Sequence, residues 1–290
     1  MIILLSPAKN LNFDPADDAP SATKPLLSSE TAKLAETAKA LSRRQIKTLM
    51  GISENLADLN YDRFQAFKTS GRIAGAKQAA LAFNGDVYLG LAAGTLSADD
   101  LAFAQDHLRI LSGLYGLLRP LDAIQPYRLE MGSRLKNDRG ANLYEFWGDR
   151  IAKEISKAGR DHDDATVINL ASKEYFGAVA PSALSAPVIT PIFKEEKDGR
   201  LRQLQFYAKR ARGLMARWAI EKRIEKPADL KKFNVEGYSF DTEGSSADEW
   251  LFTRPQPAPK SPPTQKASTK KKANPKKSAK TAAKRGAAVA

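Results

Sequence analysis

Two short apolar runs, each followed directly by a polar segment, constrain the fold of this 290-residue chain most strongly. Residues 2–5 (IILL) and 166–170 (TVINL) are rich in branched side chains, which is typical of strands buried inside a sheet. SPAK follows the first run, and ASKEYF follows the second. Because polar sites of α/β sheets collect at the carboxyl ends of strands, we expect these two segments to lie side by side and to build one site.

Helix signals lie between the two runs, so the pattern predicts a mixed α/β fold with a mixed sheet. Two capping boxes, in which a serine is followed three residues later by Gln or Asp, mark helix starts at Ser42 and Ser97. The apolar stripe after Ser97 runs on to Leu111. Further helices are predicted over residues 28–41 and 142–155 and from Tyr207, and extended chain over residues 79–91, 188–193, 203–206, 237–240 and 249–253.

The composition excludes several classes of chemistry. The chain has no cysteine, which removes disulfides, thiolate metal ligands and thiol-based peroxide chemistry. Its two histidines, His107 and His162, are too few for a histidine metal cluster, and the carboxylates show no ligand spacing. Apolar runs are too short for a membrane span or a signal peptide. We therefore expect a cytoplasmic protein with no metal, no cofactor and no membrane partner.

Most of the net charge of +13 lies near the C-terminus. Residues 255–290 contain ten Lys or Arg and no Asp or Glu, which leaves 36 basic and 33 acidic groups, a net charge of +3, in residues 1–254. A chain of 290 residues can bury a full core, in one large domain or two small ones. Residues 255–290, rich in Lys, Pro and Ala, lack core-forming side chains, so we expect a disordered basic tail. Such tails bind nucleic acid without sequence preference.

Residues 107–136 (HLRILSGLYGLLRPLDAIQPYRLEMGSRLK) carry an unusual density of charges and aromatic rings among leucines. An unpaired buried charge is costly, so we interpret the leucines as anchors and the polar groups as the lining of a wet concavity. Guanidinium groups match phosphate oxygens in a planar fork, which favours a phosphate ligand. A solvated face with surface ion pairs is the alternative. The groups concerned are Arg109, Arg119, Arg128, Arg134, Tyr115, Asp122, Tyr127 and Glu130.

Two other segments have features of phosphate sites. Gly51 and Ser53 lie between two predicted helices that resemble a helix-hairpin-helix motif, although Ser53 replaces the second glycine of that motif. Lys209, Arg210 and Arg212 are predicted in the first turn of a helix, where the helix dipole disfavours cations unless an anion binds there. A plain helical corner and a solvated basic face are the respective alternatives.

Several motifs, taken together, resemble the YaaA family of bacterial peroxide stress proteins. They are SPAK at 6–9, HLRILSGLYGLLRPLDAIQPYRLEMG at 107–132, LYEFWGD at 143–149, NLASKEYF at 169–176 and FYAKRARGLM at 206–215. The resemblance covers residues 1–254 and leaves the tail outside. It implies a cytoplasmic protein of oxidative stress defence that restrains free iron and so limits Fenton damage. It also implies a single compact α/β domain with a basic cleft, a helix-hairpin-helix element and DNA binding.

The first functional hypothesis is a stress protein that binds double-stranded or damaged DNA through its phosphates, without sequence specificity. Supporting polar groups are expected from Ser6, Tyr115, Asp122, Tyr127 and Tyr175. The phosphate contacts are expected from Gly51, Ser53, Arg109, Arg119, Arg128, Arg134, Ser172, Lys173, Lys209, Arg210 and Arg212.

Two alternatives stay open. In the first, the protein is an enzyme acting on damaged nucleic acid or a nucleotide, with Lys9 as an amine nucleophile if the fold buries it. Glu130 or Glu174 would then be the general acid/base, with Tyr127 or Tyr175 as orienting donors and Arg128 as the phosphate clamp. The second is an iron-responsive or protein-binding module that uses Asp122, Glu130 and Glu174.

Overall fold

An eight-stranded sheet organises the described residues, which in this computed structural model are 1–15, 19–71 and 73–258. The strands are β1 Ile2–Leu5, β2 Lys77–Gln78, β3 Leu108–Ser112, β4 Gly116–Leu118, β5 Ala123–Ile124, β6 Val167–Leu170, β7 Val188–Lys197, β8 Arg200–Arg202, β9 Ser239–Asp241 and β10 Glu249–Pro255. The helices are α1 Ser28–Lys39, α2 Arg43–Met50, α3 Glu54–Ala66, α4 Ala79–Ala82, α5 Asp86–Leu91, α6 Ala98–His107, α7 Leu143–Trp147, α8 Arg150–Ala158, α9 Lys173–Phe176 and α10 Gln205–Glu221.

The sheet runs in the order β4-β3-β1-β6-β7-β10-β9, with β8 paired to β7. Its five central strands are parallel, and β4, β8 and β9 are antiparallel to their partners. The short strands β2 and β5 form a separate antiparallel pair. Residues 1–256 make one compact unit, so the predicted class, a single mixed α/β domain with a mixed sheet, is confirmed.

Strand β1 lies at the centre of the fold because all four of its side chains are apolar and both of its neighbours are parallel strands. Leu5 sits beside Ile110 of β3 on one side and Leu170 of β6 on the other. Every residue of β1 is buried, and each such side chain contributes about 1.5–3 kcal/mol to folding. A continuous apolar run is what a strand covered on both faces requires.

The capping signals are confirmed. The Ser42 side chain accepts from the backbone of Gln45 while the Gln45 side chain accepts from the backbone of Ser42, at the start of α2. Ser97 and Asp100 form the same reciprocal pair before α6. Gly51 adopts the left-handed conformation, with φ of 60°, at the end of α2.

Extended chain over residues 79–91 is a wrong prediction, because this segment forms α4 and α5. The helical stripe to Leu111 is also wrong beyond His107, since Leu108–Ser112 is strand β3. In both cases a short apolar run fits either structure, and only packing decides: α5 lies against α10, and β3 pairs with β1.

Two further boundaries differ. The helix predicted over residues 142–155 is two helices, because Gly148 with φ of 52° separates α7 from α8. The strand predicted over residues 203–206 is wrong, since β8 ends at Arg202 and α10 begins at Gln205. The predicted tail lies outside the described residues from position 259 onward, whereas Pro255 closes β10.

Candidate functional site

The carboxyl ends of β1 and β6 are joined by a hydrogen bond between two serines. The backbone N–H of Ser172 donates to Ser6 Oγ at 2.8 Å, and Tyr88 donates its hydroxyl to the Ser6 carbonyl at 3.0 Å. Ser172 also caps α9, accepting from the backbone of Tyr175. The segments SPAK and ASKEYF therefore lie side by side, as the sequence predicts.

A cavity of about 430 Å³ opens above this junction. We call it the strand-end cavity. Four parts of the chain line it: the loop after β1, the start of α5, the segment around Glu130 with α9, and the first half of α10. Its polar and charged lining residues are Ser6, Lys9, Asn10, Asn84, Asp86, Tyr88, Glu130, Ser172, Glu174, Tyr175, Lys209 and Arg212.

Glu130 lies between two cations on one wall of the strand-end cavity. Its Oε1 is 2.8 Å from an Arg128 Nη and 3.5 Å from Lys9 Nζ. The structure thus brings the three groups together although Lys9 is far from the others in sequence. The Lys9 side chain is 69 % exposed, however, so the burial that a lysine nucleophile requires is missing.

Glu174, the second carboxylate proposed as an acid/base group, is fixed by the neighbouring backbone. The N–H of Gly132 donates to Glu174 Oε1 at 2.9 Å, and the Tyr144 hydroxyl donates to the Glu174 carbonyl at 3.0 Å. Lys9, Glu130 and Glu174 therefore share one cavity. Lys173 is exposed on the same short helix but does not line the cavity.

Helix α10 brings Lys209 and Arg212 to the strand-end cavity. Since α10 begins at Gln205, these cations lie beyond its first turn, and the predicted helix-dipole argument does not apply to them. Burial lowers the pKa of Arg212, and no carboxylate of the described residues lies within 4.0 Å of its guanidinium. Arg210 points elsewhere and forms two hydrogen bonds to Glu236.

Two glycines set the position of α10 over the cavity. A Cβ added to Gly213 would lie 1.8 Å from the Val87 carbonyl oxygen, and one added to Gly90 would lie 2.3 Å from the Arg210 carbonyl oxygen. The backbones of α5 and α10 therefore touch, which only glycine permits at this distance. This contact holds Asp86 and Arg212 at the same cavity.

The predicted supporting tyrosines occupy different depths. Tyr175 lines the strand-end cavity, whereas Tyr115 and Tyr127 pack edge to face in the core behind it. The Tyr127 hydroxyl shares a 2.6 Å hydrogen bond with Ser112, and the Tyr115 hydroxyl accepts from the backbone of Gln125. Burial raises the pKa of all three tyrosines, so each stays protonated at neutral pH.

A second concavity of about 740 Å³ lies between α2 and residues 132–136, and we call it the basic groove. Arg44, Arg134 and Lys136 line it and are exposed, and no carboxylate is among its lining residues. Within the described part of the chain, none of these three cations forms an ion pair. Gly132 lines the groove and also binds Glu174, so the groove adjoins the strand-end cavity.

The hairpin between α2 and α3 has its polar groups engaged. The Ser53 side chain caps α3 by accepting from the backbone of Leu56, and Lys47 pairs with Glu54 at 2.7 Å. Gly51 and Ser53 line neither the groove nor the strand-end cavity. Glu54 lies in the first turn of α3, so its negative charge opposes an anion at the helix end that would receive a phosphate in such a hairpin.

Arg119 and Asp122 are not brought to the cavity. Asp122 is fully buried and accepts from Arg119 Nε, Nη and N–H and from the Thr23 hydroxyl. Arg119 also donates to the Lys24 carbonyl. These hydrogen bonds fix the loop after β4 and engage both carboxylate oxygens of Asp122. The iron-responsive alternative would require an Asp122 oxygen free to bind iron.

Arg109 lies at the opposite end of the sheet, in a cavity of about 560 Å³ beside Met1 and the two histidines. Its side chain donates to the Gln105 and Leu108 carbonyls. His107 stacks on His162 with ring centres 4.3 Å apart and contacts the Met1 carbonyl. Because Arg109 lies near the amino end of β3 while the strand-end cavity lies at the carboxyl ends of the strands, the two cannot share a ligand.

Five residues that line the strand-end cavity or the basic groove are not among the site residues predicted from the sequence. Asn10, Asn84 and Asp86 line the strand-end cavity, and Arg44 and Lys136 line the basic groove. The Asn84-Gly85 turn is visible in the sequence, but its place beside β1 depends on a backbone hydrogen bond from Asn84 to Asn10. No local signal predicts that long-range contact.

In residues 1–15, 19–71 and 73–258, no three His, Asp or Glu side chains cluster in a way that could hold a metal ion. No helix in the same ranges is long and apolar enough to cross a membrane.

Fold and site together define a mixed α/β domain with a charged cavity at the carboxyl edge of a mainly parallel sheet. The profile of the peroxide stress protein YaaA family matches residues 1–244. A UPF0246 protein of Maricaulis maris is 58 % identical over 89 % of this chain and 97 % of its own length. UPF0246 proteins of Phenylobacterium zucineum and Ralstonia nicotianae are 55 % and 54 % identical, over 89 % and 88 % of this chain and 97 % and 99 % of their own.

The chain belongs to the YaaA family of peroxide stress proteins. The family resemblance noted in the sequence is therefore confirmed, and membership supports a general role in oxidative stress.

Proposed function

We propose that this protein acts in the cytoplasm during peroxide stress by binding DNA through the phosphate backbone. The observation that carries the proposal is the basic groove, where Arg44, Arg134 and Lys136 stand exposed with no carboxylate among the lining residues. Cations without protein partners keep their charge available for phosphate oxygens, and arginine binds such oxygens in a bidentate manner.

The geometry favours the groove over the hairpin tip as the phosphate site. At the hairpin the Ser53 side chain caps α3 and Glu54 pairs with Lys47, whereas the groove runs along the side of α2 toward the strand-end cavity. Contacts to phosphate oxygens carry no sequence information, so the expected binding is independent of sequence.

DNA binding also offers a route to limiting Fenton damage without an iron site in the protein. Ferrous ions gather around DNA as counterions, and a protein that neutralises phosphates releases them. Hydroxyl radicals would then form away from the backbone. This route needs neither thiols nor a metal cluster.

The test is duplex affinity across a salt series, with the full-length chain and a variant carrying Arg44→Ala, Arg134→Ala and Lys136→Ala. Each phosphate contact contributes about 0.9 to the slope of log affinity against log salt, so the slope should flatten by about 2–3. A charge-matched control carries Arg160→Ala, Lys222→Ala and Lys226→Ala, all exposed outside the groove. Equal slopes for the two variants would overturn the groove as the binding site.

The protective role is tested separately by plasmid nicking with ferrous iron and peroxide. The wild-type protein should reduce nicking, and the groove variant should protect less than the control variant at equal concentration. Equal protection by both variants would contradict a mechanism that depends on phosphate contacts in the groove.

A further inference from the structure

The size of the strand-end cavity limits what can enter it. Its volume of about 430 Å³ suits a small molecule, whereas a double helix has a major groove that alone is about 12 Å wide. When a duplex lies in the basic groove, only a single nucleotide of one strand can therefore enter the cavity. The basic groove and the strand-end cavity meet at Gly132. This residue lines the groove, and its N–H donates to Glu174, which lines the cavity.

One wall of the strand-end cavity suits a phosphate. Lys209 and Arg212 both reach it from α10. In the described ranges neither cation has a carboxylate within 4.0 Å, so both charges are available. Arg212 is only partly exposed, which strengthens its attraction for an anion.

Another wall suits the edge of a nucleobase. The side chains of Asn10, Asn84 and Asp86 make no hydrogen bond to any described residue. Each amide offers a donor and an acceptor, and a carboxylate accepts from exocyclic amines, which are the groups that read base edges. The wall is held in place by the Asn84 to Asn10 backbone bond of 2.9 Å and by Gly85 packing against Ala8.

Two of the three carboxylates of the cavity are engaged by protein groups, and the third, Asp86, belongs to the wall assigned to the base. Glu130 is compensated by Lys9 and Arg128, and Glu174 is held by the Gly132 amide. We call the wall of Asn10, Asn84 and Asp86 the asparagine wall. A free phosphate would leave the asparagine wall without contacts, and an uncharged base would leave Lys209 and Arg212 without contacts. A ligand that carries both groups satisfies both walls.

We propose that the strand-end cavity binds one nucleotide, with its phosphate toward α10 and its base against the asparagine wall. This inference rests on the proposed DNA binding where the nucleotide belongs to a strand, and a free nucleoside monophosphate offers the same chemistry. In DNA the nucleotide would be extruded from the duplex, most readily where it is mismatched or damaged, because less stacking and pairing is lost there.

The test for the DNA source uses the full-length protein and a duplex that carries 2-aminopurine at a mismatch. Unstacking of this base raises its fluorescence severalfold, so wild-type binding should produce that rise. The variant Asn10→Ala/Asn84→Ala should still bind the mismatched duplex through the basic groove, with the lower affinity that loss of the base contacts implies, and should lose the rise. The control Asn55→Ala/Asn234→Ala, which changes two exposed asparagines outside the cavity, should behave as wild type.

The second arm measures binding of adenosine and cytidine monophosphates by calorimetry. Heat that disappears in Asn10→Ala/Asn84→Ala, without a fluorescence rise in the first arm, supports the cavity with a free nucleotide as its source. DNA binding with neither a fluorescence rise nor nucleotide heat overturns this inference and leaves the proposed DNA binding intact. If the wild-type protein does not bind DNA, the proposed function is refuted. Nucleotide calorimetry then tests by itself whether the strand-end cavity binds a nucleotide.

Discussion

The backbone N–H of Ser172 donates to Ser6 Oγ at 2.8 Å, and this bond joins two strand ends that are 166 residues apart in the sequence. Ser6 is 9 % exposed, so the acceptor it provides is not readily replaced by water. The bond therefore fixes the floor of the strand-end cavity.

Ser6→Ala should destabilise the fold by about 1–3 kcal/mol, because it leaves the N–H of Ser172 without its partner in a largely buried place. Urea unfolding at neutral pH measures this loss. Ser239→Ala is the matched control, since Ser239 is exposed, and its effect should stay within about 0.5 kcal/mol. Equal midpoints for both variants would show that the serine bond contributes nothing.

Gly213→Ala should destabilise the protein by about 1–3 kcal/mol or more, since the new methyl group would meet the Val87 carbonyl and push α10 from α5. The control is Gly94→Ala, where an added Cβ has no atom within 4 Å. Chemical denaturation of both variants decides the matter. A Gly213→Ala variant as stable as Gly94→Ala would contradict the close contact of the two helices.

Removal of residues 259–290 should weaken duplex binding at every sequence alike and flatten the salt dependence, because the deletion removes ten cations. The affinity that remains should still depend on Arg44, Arg134 and Lys136. Anisotropy titrations with the shortened chain, with and without the groove substitutions, measure both effects. Complete loss of salt-sensitive binding on truncation would assign DNA binding to the tail alone.

Borohydride trapping on abasic DNA should give no adduct that depends on Lys9. The Lys9 side chain is largely exposed and paired with Glu130, whereas a lysine nucleophile is activated by burial in an apolar pocket. The comparison is wild type against Lys9→Arg, which keeps the charge. An adduct formed by wild type and missing in Lys9→Arg would instead establish the enzymatic alternative.

Stability should fall as the pH drops below about 8, where the Met1 amine of the unfolded chain titrates, and further below about 6.5, where its histidines do. Burial lowers the pKa of His107 and of His162, and also that of the Met1 amine beside them. The unfolded chain therefore takes up protons at a higher pH than the folded chain, so acidification through this window favours unfolding. Urea unfolding at several pH values measures the slope, and His107→Gln/His162→Gln should reduce it. A flat profile for wild type would show that folding lowers the pKa of neither the two rings nor the Met1 amine.

Local sequence signals determined the elements that depend only on nearby residues. The apolar runs of β1 and β6, the capping boxes at Ser42 and Ser97, and the left-handed Gly51 follow from contacts within a few residues, so they could be predicted. The polar segments after the two strands could also be placed together, because parallel strands bring their carboxyl ends to one edge.

Tertiary structure decided which charged groups share a site. The arginines of residues 107–136 look equivalent in the sequence, yet Arg109 faces the opposite end of the sheet, Arg119 binds buried Asp122, Arg128 pairs with Glu130, and Arg134 faces the groove. The site that each arginine reaches depends on the strand order and on the α5–α10 contact. Those arise from packing between residues that are distant in the chain, and no local pattern encodes such packing.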